Sequence, residues 1–89
     1  MFTLRRSTKI KKDFKLCVKR NWDMSLLFTA INILEEKGKL PKEYISHPLI
    51  GQYKGYIDSH ICPDWVLIWK INGNEIFLYR TGTHSDLFG

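Results

Sequence analysis

The chain has 89 residues, of which 44% are hydrophobic and 13% aromatic, and its formal net charge at pH 7 is +5. This length allows one small core without room for a cofactor-sized cavity, and the apolar content excludes an intrinsically disordered chain. The positive charge favours a polyanionic partner such as nucleic acid, an acidic protein or an anionic membrane.

The amino-terminal half is predicted to be helical after a short strand at Phe2–Leu4. Ser7 or Thr8 can cap a first helix, which is expected to break at Arg20-Asn21. The apolar residues of this helix recur at helical spacing and are Ile10, Phe14, Cys17 and Val18.

A second helix is predicted between a cap at Asp23 and the terminating residues Gly38 and Pro41. Its apolar stripe consists of Met24, Leu27, Phe28, Ile31 and Leu34. A stripe at this spacing is more often core than a ligand site, so we interpret it as core.

The carboxy-terminal half is predicted to form three strands. Alternation indicates a half-buried strand at Tyr53–Ile61, followed by a turn at Cys62-Pro63-Asp64 and a central strand at Trp65–Trp69. Asn72-Gly73 is a hairpin signal that leads into a last strand at Glu75–Arg80. The sequence therefore predicts an α+β fold in which the helices pack on one face of an antiparallel meander.

Alternation along the first of these strands separates two chemically different faces. Ile57, Ser59 and Ile61 are expected on one face, and Tyr56, Asp58 and His60 on the other. If Asp64, Arg80 and His84 reach the second face, it becomes a shallow groove of histidines, carboxylates and an arginine. Such a groove suits an extended single strand of nucleic acid.

Basic residues crowd the amino-terminal part of the chain, where Asp13 is the lone acid. They are Arg5, Arg6, Lys9, Lys11, Lys12, Lys15, Lys19 and Arg20. Any single lysine is most simply a solvated helix residue, but the cluster as a whole favours polyanion binding. We expect Lys11 and Lys12 to contact RNA phosphates.

Metal binding and export are not expected. The two cysteines, Cys17 and Cys62, are too few to cross-link a small secreted fold, so reduced thiols are predicted. His60 and Cys62 are close in sequence, but there is no Cys-x-x-Cys or helical His pair, so the zinc signal is weak. No apolar run resembles a secretory signal or a membrane span, which predicts a cytoplasmic protein. No cofactor is expected.

Several motifs resemble the YafQ branch of the RelE/ParE toxin superfamily. They are His47-Pro48-Leu49, Lys54-Gly55-Tyr56, Asp58-Ser59-His60, Pro63-Asp64-Trp65, and Arg80-Thr81-Gly82-Thr83-His84 through Leu87-Phe88-Gly89. The resemblance is dense from His47 onward, while the helical half matches mainly in length, charge and pattern.

The resemblance implies one RelE-like domain over residues 1–89, with a two-helix hairpin packed on a curved, largely antiparallel sheet. It implies a toxin of a type II toxin–antitoxin pair that cleaves mRNA in the translating ribosome. The expected partners are therefore the ribosome, its message and a cognate antitoxin, and an acidic, partly disordered antitoxin would suit the basic surface.

Metal-free RNA cleavage needs a base for the 2′-hydroxyl, an acid for the leaving 5′-oxygen and positive charge at phosphorus. The resemblance implies a catalytic set of His47, His60, Asp64, Arg80, His84 and Phe88, with Asp58 and Lys54 as substrate-binding residues. We expect His84 to be the acid, Asp64 or His60 the base, Arg80 the phosphate ligand and Phe88 a stacking platform.

Plainer interpretations compete with these roles. His47 before a proline can simply satisfy a loop, Arg80 can pair with a carboxylate, and Phe88 can plug the core. At the level of the whole protein, a non-catalytic ParE-like inhibitor that binds gyrase would share the fold. That alternative leaves the histidines and Asp64 without a common purpose, and a simple RNA-binding module does not explain the pairing of acids with histidines.

Overall fold

The computed structural model describes residues 1–89 and contains five strands and three α-helices. In chain order these are β1 (Thr3–Arg6), α1 (Thr8–Lys19), α2 (Met24–Lys37), β2 (His47–Pro48), β3 (Ile57–Cys62), β4 (Trp65–Asn72), β5 (Glu75–Gly82) and α3 (His84–Phe88). Short 3-10 turns at Lys42–Tyr44 and Gly51–Tyr53 lie in the connection between α2 and β3. None of the helices has the length and apolar character needed to cross a membrane.

The strands form one mixed sheet in the order β1-β5-β4-β3-β2. Strands β3, β4 and β5 are an antiparallel meander, as the sequence predicts, and β4 is central. Strand β1 adds to β5 in parallel at one edge, and β2 adds to β3 antiparallel at the other. The α+β class and the largely antiparallel sheet are thereby confirmed.

The predicted helix boundaries are confirmed by their caps. The Ser7 hydroxyl accepts from the backbone N–H of Ile10, and the Asp23 carboxylate accepts from that of Ser25. Each side chain satisfies an amide that has no partner within its helix. Gly38 ends α2 in the left-handed conformation at φ 72°, where a side chain would be strained.

The main core lies between the helices and one face of the sheet. Leu27 and Leu34 of α2 are completely buried, as is Leu67 of β4. The two tryptophans of β4 also face this core, and each satisfies its indole N–H: Trp65 donates to Thr81 Oγ1 and Trp69 to Ser59 Oγ, both at 2.9 Å. Buried indoles thus pack without an unpaired donor.

Two of the predicted apolar residues lie outside this core. Val18 is 61% exposed and Phe28 is 47% exposed, so the assignment of Phe28 to the core stripe of the second helix was wrong. Successive helical residues are rotated by roughly 100°, and Cys17 already faces inward, which turns its neighbour Val18 outward. Phe28 instead meets Phe14 edge to face, with ring centroids 6.2 Å apart.

The strand predicted from Tyr53 begins only at Ile57. Tyr53 closes the 3-10 turn, and Gly55 adopts φ 96°, which interrupts the extended backbone. Strand β2 and helix α3 were not predicted. Helix α3 has a local signal, since Thr83 and Asp86 have capping-box spacing and bond each other's backbone amides.

Replacing Gly38 by Ala should destabilise the fold more than replacing Gly73 by Ala. Both glycines have positive φ, at 72° and 60°, so each alanine incurs backbone strain of about 1–3 kcal/mol. At Gly38 the new Cβ would also clash with the ring of Phe2, whereas nothing lies within 4 Å at Gly73. Urea unfolding of both variants measures the difference, and equal losses would contradict the close packing at Gly38.

Candidate active site

The sheet face opposite the main core brings three of the predicted site residues together. In the register of β3, β4 and β5, Asp58 lies opposite Ile68, which lies opposite Arg80. His60 lies opposite Val66 in the next row. The predicted separation of Asp58 and His60 from Ile57 and Ser59 is confirmed, because the latter two pack toward the helices.

Strand β2 places His47 beside this face. His47 is paired with Asp58 across the β2–β3 ladder, and its Nδ1–H donates to Asp58 Oδ1 at 2.7 Å. The Asp58 residue is 6% exposed, while the His47 side chain is 54% exposed. A buried carboxylate therefore fixes an imidazole whose other ring nitrogen remains available.

The start of α3 supplies the second such pair. His84 is the first residue of the helix, and both its ring Nδ1–H and its backbone N–H donate to Asp64 Oδ1, at 2.8 Å and 3.1 Å. The side-chain hydrogen bond from His84 lowers the pKa of Asp64. Asp64 is therefore ionised at neutral pH and holds the ring in a fixed orientation.

His60 lies between these two pairs. Its ring centroid is 6.0 Å from that of His47 and 5.5 Å from that of His84, and no carboxylate is hydrogen-bonded to it. One ligand atom from each of Asp58, His60 and His84 lies within 4.8 Å of the others. We call His47, His60 and His84 the histidine row. Its imidazoles can donate and accept protons at substrate atoms a few ångströms apart.

Cys62 does not join this row. It packs against the helix-side core, and the ladder between β3 and β4 is irregular between His60 and Cys62. The side chain that lies with His60 and His84 at a distance suited to metal binding is that of Asp58. The sequence pair His60 and Cys62 is therefore not the pair that the fold brings together.

Arg80 is held by Asp13 of α1. Its Nε and Nη2 donate to the two Asp13 oxygens at 2.7 Å and 3.1 Å, and the backbone N–H of Thr81 donates to the same carboxylate at 3.1 Å. The hydrogen bond to Asp13 raises the pKa of Arg80. The guanidinium has five N–H donors, so those not used here remain for a ligand. Arg80 therefore pairs with a carboxylate and keeps a fixed, charged fork.

Helix α3 buries Leu87 and leaves Phe88 43% exposed. Leu87, and not Phe88, is thus the residue of α3 that packs into the protein interior. The Phe88 ring lies 6.2 Å from that of His84 and 5.6 Å from that of Tyr53, centroid to centroid. The ring is available beside the histidine row for stacking.

The remaining predicted substrate contacts lie outside the histidine row. Lys11 and Lys12 are exposed on α1, and Lys54 is exposed after the second 3-10 turn. None of them forms a hydrogen bond or an ion pair with the histidines. Their contact with RNA stays a prediction.

Two contributors to the site were not identified from the sequence. Asp13 was noted only as the lone acid in a basic segment, although its helical spacing from Ile10 and Cys17 places it on the buried side of α1. Tyr53 was predicted to begin a strand, but it ends a 3-10 turn. Its ring lies between those of Phe88 and Tyr79.

Comparison with known proteins gives consistent matches over almost the whole chain. The family model described as the bacterial toxin of type II toxin–antitoxin system, YafQ, matches residues 2–89. The mRNA interferase toxin YafQ of Escherichia coli K12 is 44% identical over 84 residues, which span 93% of this chain and 91% of that protein.

Solved structures agree with this match. The crystal structure of YafQ from E. coli BL21(DE3) superposes with a TM-score of 0.94 at 39% identity and covers 100% of both chains. The crystal structure of the E. coli DinJ-YafQ complex gives a TM-score of 0.92 at 40% identity, again over 100% of both chains.

Acid should destabilise the fold through Asp86, which receives two hydrogen bonds from Arg20, at 2.6 Å and 3.0 Å. The pair with Arg20 lowers the pKa of Asp86 strongly. Its stabilising contribution is therefore complete above the unfolded pKa of roughly 4 and is lost as pH falls toward the folded value. Between about pH 5 and pH 3, Asp86→Asn should lose less stability than the parent.

Urea unfolding at several pH values measures this difference. Glu36→Gln is the matched control, since it removes one exposed negative charge that makes no ion pair. The control should follow the slope of the parent protein. Parallel slopes for Asp86→Asn and the parent would contradict the role given to the Arg20 pair.

Proposed function

This chain belongs to the YafQ family of bacterial type II toxin–antitoxin toxins, and from that premise we propose that it is an mRNA interferase that cleaves message on the ribosome. The observation that carries the proposal is the histidine row, in which two carboxylate-held imidazoles flank a third. Arg80 and Phe88 adjoin the same sheet face. This is the set of groups that phosphodiester cleavage by an internal nucleophile requires.

In the proposed reaction the 2′-oxygen bonds to phosphorus while the bond from phosphorus to the 5′-oxygen breaks. One side chain takes the 2′-hydroxyl proton, and another gives a proton to the departing 5′-oxygen. The products are a 2′,3′-cyclic phosphate and a 5′-hydroxyl, and no other reactant is needed.

We assign the acid role to His84. Its Nδ1–H is held by Asp64, so Nε2 is the ring atom left to face a substrate. Because Asp64 is ionised and already accepts two hydrogen bonds from His84, it is a weak proton acceptor. Asp64 is therefore a positioning residue in this proposal, although its carboxylate was one of the two candidates for the base.

The base role then goes to His60, whose ring lies next to that of His84 and is not hydrogen-bonded to a carboxylate. His47 is fixed by Asp58 on the other side of His60. It is suited to bind the ribose or phosphate next to the cut. Asp58 acts through His47, since its buried carboxylate sets the orientation of that ring.

Arg80 and Phe88 complete the proposed site. The unused donors of Arg80 supply positive charge for the charge that develops on phosphorus, and the Asp13 pair keeps the fork from reorienting. Phe88 stacks on a base next to the cut, because its exposed ring adjoins His84. Lys11, Lys12 and Lys54 bind phosphates farther along the RNA.

The proposed partners follow from the family. A relative assembles with DinJ in a toxin–antitoxin complex, and we propose that a cognate acidic antitoxin neutralises this chain. An apolar groove between the helices offers a surface for it, lined by Phe14, Lys15, Val18, Met24 and Phe28. The exposure of Val18 and Phe28 is explained if the antitoxin covers them.

Replacing His84 by Ala should reduce message cleavage by at least about 10²-fold, because the leaving oxygen loses its proton donor. Mapping of new RNA ends in a bacterial cell-free translation reaction measures this effect. The same message without ribosomes tests whether cleavage depends on translation. Asp64→Asn should reduce cleavage less, since the imidazole remains but is held less firmly.

Lys37→Ala is the matched control, since this exposed lysine lies at the end of α2, on the other side of the sheet. It should cut like the parent. Codon-aligned cuts that persist in His84→Ala would refute the acid assignment. An intact message with the folded parent protein would refute the nuclease function and favour a gyrase-binding inhibitor.

Cleavage should persist in excess EDTA, because imidazoles perform both proton transfers in the proposed mechanism. Since ribosomes need magnesium, the assay requires a short RNA that the protein cuts in isolation, or a chelator selective for zinc in the translation reaction. Loss of activity that added zinc restores would contradict the mechanism and assign Asp58, His60 and His84 to a metal.

A further inference from the structure

The outer face of the sheet carries a row of aromatic rings that continues away from the histidines. The Phe88 and Tyr53 centroids are 5.6 Å apart, those of Tyr53 and Tyr79 are 6.3 Å apart, and those of Tyr79 and Phe77 are 6.1 Å apart. Tyr56 lies beside Tyr79 at 4.8 Å. We call the four rings from Phe88 to Phe77 the aromatic track.

Cationic side chains lie over the distal rings of this track. Lys9 Nζ is 5.9 Å from the Tyr79 centroid, and the Arg5 guanidinium is 5.0 Å from that of Phe77. Lys70 Nζ lies between two rings, 4.9 Å from Tyr56 and 5.7 Å from Phe77. These cations belong to three different strands or helices, so the fold, and not local sequence, brings them to the track.

A depression of 130 Å³ closes the far end, lined by Arg5, Lys70, Asn72, Glu75 and Phe77. Glu75 is its one acid, and it is paired with Arg5 at 3.0 Å. The surface thus combines faces for stacking with positive charge and a polar terminus. Proteins that hold single-stranded nucleic acid combine the same features.

From this combination we propose that the aromatic track binds single-stranded RNA of about four nucleotides adjoining the cleaved bond, with bases packing against its rings. The proposal rests on the nuclease function only for the direction of the strand, which runs from the histidine row toward Phe77. Lys9, Lys70 and Arg5 bind its phosphates. The track would make affinity depend on message nucleotides outside the pocket of the cut, with little dependence on their sequence, because every base has a stacking face.

Tyr79 of the track, together with its neighbour Tyr56, also packs against the small outer core of Val66, Ile68 and Leu87. Packing against this core is enough to explain why one edge of each of these two rings is buried. It does not account for Phe77, which is outside that core, or for the Lys9 ammonium over Tyr79. The test must therefore separate RNA binding from a purely structural role.

Binding can be measured without cleavage by fluorescence anisotropy with labelled 2′-O-methyl oligoadenylates of three, five and eight nucleotides. Blocking the 2′-hydroxyl removes the nucleophile, so affinity is read independently of the chemistry. The parent protein should bind the eight-nucleotide probe at least about tenfold more tightly than the trinucleotide. Phe77→Leu, which keeps an apolar residue, should weaken binding of the long probe about fivefold or more and weaken the trinucleotide less, since three nucleotides can bind without reaching Phe77.

The charge of the track is tested by the double variant Lys9→Glu with Lys70→Glu. It should weaken binding of the long probe at least tenfold and make the salt dependence shallower, by roughly 0.7 for each phosphate that the variant no longer binds. Lys37→Glu with Lys39→Glu is the matched control, since it makes the same charge change on exposed residues away from the track. These surface variants keep the test decisive even if Phe77→Leu folds poorly.

Equal weakening by the two double variants would overturn the proposal, because only net charge would then matter. Affinity that does not rise with probe length would overturn it as well. If the parent cuts message but the track variants bind like the parent, the track fails and the nuclease stands. If binding behaves as expected but no message is cut, the nuclease fails and the track stands.

The source of the RNA is identified by two further measurements on the Lys9→Glu, Lys70→Glu protein. Weaker cutting with unchanged pelleting on vacant ribosomes would assign the track to the message. Weaker pelleting would assign it to an unpaired segment of ribosomal RNA. Either result supports binding of single-stranded RNA, and unchanged cutting together with unchanged pelleting would overturn it.

Discussion

The carboxylate of Asp13 connects the helical layer of this protein to its candidate active site. It accepts three hydrogen bonds, two from the Arg80 fork and one from the backbone of Thr81, so α1 and the end of β5 are held in one register. Arg80 in turn lies in the same cross-strand row as Asp58. Because Asp13 is buried and Arg80 is half-buried, loss of one partner would leave an uncompensated charge. The position of the phosphate-binding arginine therefore depends on the packing of the first helix.

A second polar connection anchors the carboxy terminus. Asp86 accepts from the backbone N–H of Thr83 and from both terminal nitrogens of Arg20, so the first turn of α3 is tied to the end of α1. Helix α3 has only five residues, and a helix that short is not stable by its own propensity. Its burial of Leu87 and these bonds give His84 a fixed place. Two acid–arginine pairs thus hold the proposed catalytic groups in place. Asp13 of α1 positions Arg80, and Arg20, which follows α1, positions the helix that begins at His84.

The sequence predicts the layout of this fold better than it predicts the site. Caps at Ser7, Asp23 and Gly38 and the hairpin at Asn72-Gly73 are local signals, and all of them are confirmed. The separation of Asp58 and His60 from the core side follows from strand alternation. Pairing between distant segments has no such local signal, since the contact of Arg80 with Asp13 spans 67 residues. The resemblance to the family supplied His47. Its place depends on β2, and the place of Phe88 depends on α3, two elements that the sequence pattern did not predict.

The hydrogen bonds that position the site residues also stabilise the fold. A variant can therefore lose activity because it unfolds and not because it lacks a catalytic group. Asp58 is almost fully buried, and the only hydrogen bond that its side chain accepts comes from the exposed imidazole of His47. Removal of His47 would leave a buried carboxylate without a partner, which destabilises a protein regardless of any role in chemistry. His84 differs, because Asp64 is exposed and can be solvated when the imidazole is removed. A change at His84 therefore reports on chemistry more directly than a change at His47, although both histidines make the same kind of pair.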